Sequence, residues 1–265
     1  MTTASLAAAD RSTSRDPQRL WPRLAGAELL KLRKRRGLFW STLVLIVVPV
    51  LVGYAVLTLQ HAVDPDHAGP AGGIANLRST YELLAQIGMV AAIMVGVTAG
   101  GGDLGAGVFR ELVVTGRSRI ALFGVRFPGG ILFLAPYVLA AAVLASVASV
   151  ALPSSEQEPG VMLMLEYAGW LALALLTGLA MAVGVGSLLS GRVAIGLLLA
   201  WQFILTPLLL GTGKLDPVLV AAALRRIEPG STNDSVSPTV AVITIVAWTV
   251  IPLLAGAWRT ASRDA

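Results

Sequence analysis

Six long apolar runs constrain this chain more than any other feature. They lie at about 38–60, 82–101, 129–152, 165–189, 193–211 and 238–258, and none carries a Lys, Arg or Asp in its central part. A helix needs roughly 20 apolar residues to cross the hydrocarbon core of a bilayer. The runs are too long and too continuous for the alternating strands, roughly ten residues each, of a membrane barrel. Composition points the same way: 55% of residues are hydrophobic, 13% are charged and the mean hydropathy is +0.77, too apolar for a soluble domain of 265 residues. The expected fold is all-α, a polytopic membrane protein of six transmembrane helices. Residues 1–18 are expected to form a disordered tail and 19–265 a single transmembrane domain.

Six crossings put both termini on one side, and the basic residues choose the side. Nine precede the first run: Arg11, Arg15, Arg19, Arg23, Lys31, Arg33, Lys34, Arg35 and Arg36. Arg110, Arg117, Arg119, Arg126, Arg192, Arg259 and Arg263 fall on the same side, which leaves only Arg78, Lys214, Arg225 and Arg226 opposite. The termini are therefore expected in the cytoplasm and the chain in the cytoplasmic (inner) membrane. The basic pI near 10.1 then reflects orientation and attraction to anionic lipid headgroups, and no nucleic-acid partner is expected. The first run is long, with no small-residue cleavage pattern after it, so it reads as a retained span and not as a signal peptide.

The stretch LWPRLAGAELLKLRKRRGLFW reads as a helix with Pro22 in its first turn, Leu20, Leu24, Ala27 and Leu30 along an apolar side, and basic residues gathering toward its end. It is expected to lie along the inner membrane surface through Glu28, Lys31, Arg33, Lys34, Arg35 and Arg36, turning into the first span near Gly37. The first outer loop, HAVDPDHAGPAGGIANLRST, is rich in Pro and Gly and is expected to be irregular. KLDPVLVAAALRRIEPG predicts a short amphipathic helix on the outer surface, capped by Asp216, with Pro217 in its first turn and Gly230 beyond its end. Gly178, Ala182, Gly186 and Ser190 recur every four residues on one face of the fourth span, a pattern that lets another helix approach closely. Kinks are expected at Pro49, Pro136, Pro207 and Pro252.

Motifs for catalysis are missing. Gly102 to Gly107 has the glycine spacing of a phosphate loop but continues Val108-Phe109, without the lysine and hydroxyl that grip phosphates. With no cysteine there is no thiolate nucleophile or metal ligand, and both histidines lie in an outer loop, away from any membrane nucleophile. His61, Asp64, Asp66 and His67 are ligand types with no scaffold to hold them, so no metal is assigned. Glu82 and Glu166, at outer ends of spans, are expected to be exposed carboxylates. Gln86, Thr98, Tyr137, Thr177, Gln202 and Thr206 are the scattered polar groups of an otherwise apolar cavity suited to amphiphilic or hydrophobic cargo.

Two stretches carry a family resemblance: AELLKLRKRRGLFW before the first span and DLGAGVFRELVVTGRSRIALFGVR after the second. With the six spans, they make the chain after residue 18 resemble the permease subunit of a type-2 ABC exporter. Asp103, Gly107, Glu111 and the run Thr115 to Arg119 match the family's pattern at the end of the second span. The chain departs from that pattern in having aspartate where glutamate is commoner, Val108 where threonine is usual and Gly116 where proline is frequent.

The resemblance implies a coupling helix from about 104 to 115, seated in a separate ABC ATPase subunit, with Asp103, Gly107, Arg110, Glu111, Arg117 and Arg119 as the ATPase-coupling residues. It further implies a second permease copy, identical or homologous, and export driven by ATP and Mg held on the ATPase, with no cofactor and no catalytic site on this chain. The alternative is an integral membrane enzyme or assembly scaffold.

Overall fold

A computed structural model describes residues 17–105, 118–154 and 157–262. Among them it is helical, with six helices long and apolar enough to cross a membrane. The N-terminal helix α1 is Pro17–Lys34. The six long helices are α2 (Arg36–Val63), α3 (Ile74–Gly105), α4 (Arg119–Ala151), α5 (Val161–Leu188), α6 (Gly191–Leu210) and α8 (Pro238–Ser262). Between the last two stands the short α7, Val220–Arg226.

α3 and α5 form the centre: 61% and 72% of their most apolar windows are buried, against 17–33% in the other four. Small residues bring the two backbones together. A Cβ on Gly96 would lie 2.5 Å from Ala182 Cβ, and one on Gly186 would lie 2.8 Å from Val97 Cα. Gly178 takes the Met89 thioether, and Gly100 lies against the Val183 carbonyl. In hydrocarbon, where burial of apolar surface does not draw helices together, such close approach gains van der Waals contact. Three residues of the small-residue stripe thus face α3, whereas Ser190 is exposed in the turn before α6.

The long helices alternate in direction, which gives the bundle two distinct ends. At one end Arg35 reaches Gly102, Glu28 packs on Gly129, and Arg119 Nη1 donates to the Ala261 carbonyl at 3.3 Å. The opposite end holds the 63–73 connection, where Gly72 N donates to Pro153 O at 2.8 Å, and α7 with its flanking loops.

Several elements differ from the sequence reading. α3 begins at Ile74, so the last seven residues of the loop expected to be irregular are helical. Asn76 anchors that start by donating Nδ2 to the Pro70 and Gly72 carbonyls at 3.0 and 3.1 Å. α1 turns Ala25, Glu28 and Leu32 inward, while Ala27 and Leu30 are exposed. That face is set by Gly129 of α4, which leaves room for Glu28, and not by the helix's own most apolar side. Asp216 is buried in a 3-10 turn and makes no cap bond, because α7 is packed into the bundle through Val220, Ala222, Ala223 and Leu224. The prolines act unequally. Pro136 and Pro252 sit inside unbroken helices, while Pro207 follows a π-helical turn over Trp201–Leu205.

Candidate functional site

Two constructions stand out, one at each end. The first is a cleft of about 480 Å³ between α3, α5, α6 and α7. Arg78, Glu82, Ala85, Gln86 and Met89 line it from α3, at positions i, i+4, i+7, i+8 and i+11 and so on one helical face. Trp170 and Ala174 of α5 form its back, and Gln202, Phe203 and Thr206 of α6 form its side. Trp170 Nε1 donates to Leu224 O at 2.8 Å and Tyr167 Oη to Pro229 O at 3.0 Å, so α5 holds α7 and its following turn over the cleft.

An ion cluster lines one end of the cleft. Arg78 Nε lies 2.8 Å from Glu82 Oε1 and 3.2 Å from Glu228 Oε1. The Glu228 side chain is only 6% exposed. Burial, and then the neighbouring Glu82 carboxyl, push the Glu228 carboxyl above its ordinary range against the opposing pull of Arg78. Below the cluster Thr206 is 3% exposed, and its hydroxyl has no hydrogen-bond partner among the described residues. The π-turn before it shifts the register of α6 by one residue, and such turns recur at functional sites.

The second construction is at the end that carries α1. Arg126 is buried to 1% exposure, with Nη1 donating to Gly100 O at 2.7 Å and lying 3.5 Å from Ser187 Oγ. Its guanidinium sits 5.6 Å from the centre of the Phe123 ring. It ties α3, α4 and α5 together on either side of the connection between α3 and α4.

Of the coupling residues, Asp103 is in the last turn of α3 and Arg119 opens α4, where Ser118 Oγ accepts from Ala121 N at 3.1 Å. Gly107, Arg110, Glu111 and Arg117 lie outside the described residues. On α1, Glu28 is buried and ion-paired with Lys31 at 2.6 Å, while Arg33 and Lys34 at its end, and Arg35 and Arg36 at the junction with α2, are exposed. Among the described residues, no group of three His, Asp or Glu side chains is placed to hold a metal, and His67 instead pairs with Asp64 at 3.0 Å. Of the scattered polar groups, Gln86, Gln202 and Thr206 meet in the cleft, Thr177 lines a small neighbouring pocket, and Tyr137 packs on Phe39 and Phe133.

Sequence reasoning missed both constructions; the Glu82 side chain, expected to be exposed, is 42% exposed but ion-paired with Arg78. Arg78 and Glu82 are one helical turn apart, a spacing that signals an ion pair. Nothing local signals that Glu228 joins them or that Arg126 turns inward. Compared with known proteins, the chain matches no family model and no curated protein.

Proposed function

We propose that the chain is the permease subunit of an ATP-driven ABC exporter in the cytoplasmic membrane, with both termini cytoplasmic. A separate ABC ATPase binds ATP and Mg, and a second permease, identical or homologous, completes the pathway. The single observation that carries the reading is the two-ended bundle. One end gathers basic α1, the carboxyl-terminal end of α8, and the two helix ends that bracket the charged 106–117 segment. The other end opens a cleft with a charged rim and an apolar body. The Arg126 latch suits force entering at that segment, because it joins α3, α4 and α5 where the segment meets the bundle. Motion of a helix seated in the ATPase then tilts three helices together, a rigid-body switch of the kind that serves alternating access.

On this reading α1 lies at the membrane surface, with the exposed Leu30 at the lipid boundary and the run Arg33 to Arg36 at its end reaching phosphate headgroups. The test is purification of the tagged chain in mild detergent, followed by mass spectrometry. An ATPase with nucleotide-binding motifs is expected in near-equal amount, and R110A/E111A is expected to keep the chain inserted but reduce ATPase recovery and stimulation. A wild-type chain recovered alone, or with biosynthetic enzymes, would refute the reading in favour of a membrane enzyme or scaffold.

A further inference from the structure

The charge that an occupant of the cleft must carry follows from how deeply each rim group lies. Glu82 and Glu228 share one guanidinium, that of Arg78. Glu228 is buried, whereas the second arginine at the rim, Arg225, is exposed. Water and salt screen an exposed charge, while a buried one acts through a low dielectric. Glu228 therefore contributes the least screened charge in the cleft, and Glu82, 42% exposed, adds a second carboxylate against the single Arg78 guanidinium. Met89 lies eleven positions from Arg78 on the same helix, roughly 16 Å deeper at the α-helical rise. Between them stand Trp170 and Phe203, whose ring faces attract cations. Thr206 adds a second, independent sign of an occupant: a buried hydroxyl lining the cleft whose bonding potential no described residue satisfies.

We propose that this cleft binds amphiphilic cations, with the positive centre against the Glu82 and Glu228 carboxylates beside Arg78, whose guanidinium balances only one of the two charges, and the apolar body against Trp170, Phe203 and Met89. The volume of about 480 Å³ suits an organic molecule of drug size. Cation entry favours the ionised form of Glu228, so it works against the proton that burial helps that carboxyl retain. The groups facing Glu228 are Arg78 and Glu82 of α3, Tyr167 of α5, and Arg225 and Arg226 beside it in sequence. The inference deepens the permease reading, and rests on it only in calling the ligand a cargo.

The experiment is equilibrium binding of radiolabelled tetraphenylphosphonium, a fixed-charge cation with no titratable group, to the full chain in nanodiscs of zwitterionic lipid. Empty nanodiscs supply the background and no ATPase is present, so failure of the permease reading leaves this measurement unaffected. Saturable binding is expected, weakened at least tenfold in E228Q and in E82Q. F203A, on a half-exposed side chain away from the ions, is expected to weaken it several-fold and keeps the test open if E228Q does not fold. R225A is expected to bind as tightly as the wild type or tighter. Absence of saturable binding, or binding unchanged in E82Q and E228Q, overturns the proposal. So does competition by dodecyl phosphate that R225A abolishes, which would assign the cleft to anionic amphiphiles.

Discussion

Replacing Gly96 by alanine tests the packing on which the whole bundle depends. The added Cβ would lie 2.5 Å from Ala182 Cβ, 2.7 Å from Leu179 O and 3.1 Å from Val183 N. Two of those three atoms are backbone, so no rotamer change relieves the clash, and α3 and α5 must separate by roughly 1 Å to restore ordinary contact. A gap of that size forfeits a quarter to a half of each atom pair's attraction of about 0.1–0.2 kcal/mol. Over about thirty neighbouring pairs the loss is about 1–2 kcal/mol, inside the range for overpacked cores. Alanine's better helix propensity offsets little of it if the helices persist in the denatured state. Gly169→Ala is the control, because it lies in α5, the partner of α3, with no atom within 4 Å of its added Cβ. Unfolding in mixed micelles by SDS titration, followed by circular dichroism, is expected to show G96A lowered by that amount and G169A within about 0.5 kcal/mol of wild type. Equal midpoints for the two variants would falsify the close-approach argument.

Two further outcomes follow from the cleft. Trp170→Phe removes the bond to Leu224 O and leaves a buried carbonyl unmet, a loss of about 1–2 kcal/mol. Hydrogen exchange is expected to speed up in Val220–Arg226 while α3 stays protected, and a uniform change along the chain would count against a local anchor. The raised pKa of Glu228 makes the ligand-free fold bind a proton that the unfolded chain has already released. Stability therefore falls as pH rises from the ordinary carboxylate range through the folded value of Glu228, then levels off. Phosphonium affinity rises over the same window. Glu228→Gln is expected to flatten the stability profile, and a slope unchanged in that variant would show that another group titrates.

Fold class was legible because hydropathy is a local property. Each of the six runs carries its own reason to be a membrane-length helix, and the structure differs mainly at their ends. Those ends are decided by groups outside the run: Asn76 draws α3 back to Ile74, and Ser118 starts α4 ahead of its apolar stretch. The stripe at 178, 182 and 186 was equally readable, since a four-residue repeat of small side chains has a single geometric use on a helix. Its partner, α3, was not.

The sequence by itself determined that this protein is a bundle of six apolar helices with its basic residues crowded toward one side. Which charges meet inside that bundle was decided only by the tertiary structure. Glu228 comes to Arg78 from 150 positions away in sequence and so joins Glu82 as well, and Arg126 finds Gly100 and Ser187 across two helix interfaces. The inward face of α1 was decided in the same way, by the space that Gly129 leaves for Glu28. The physical reason is common to all three. Helix formation is settled by neighbours along the chain, whereas the partner of a buried charge is settled by which faces approach closely enough to replace water.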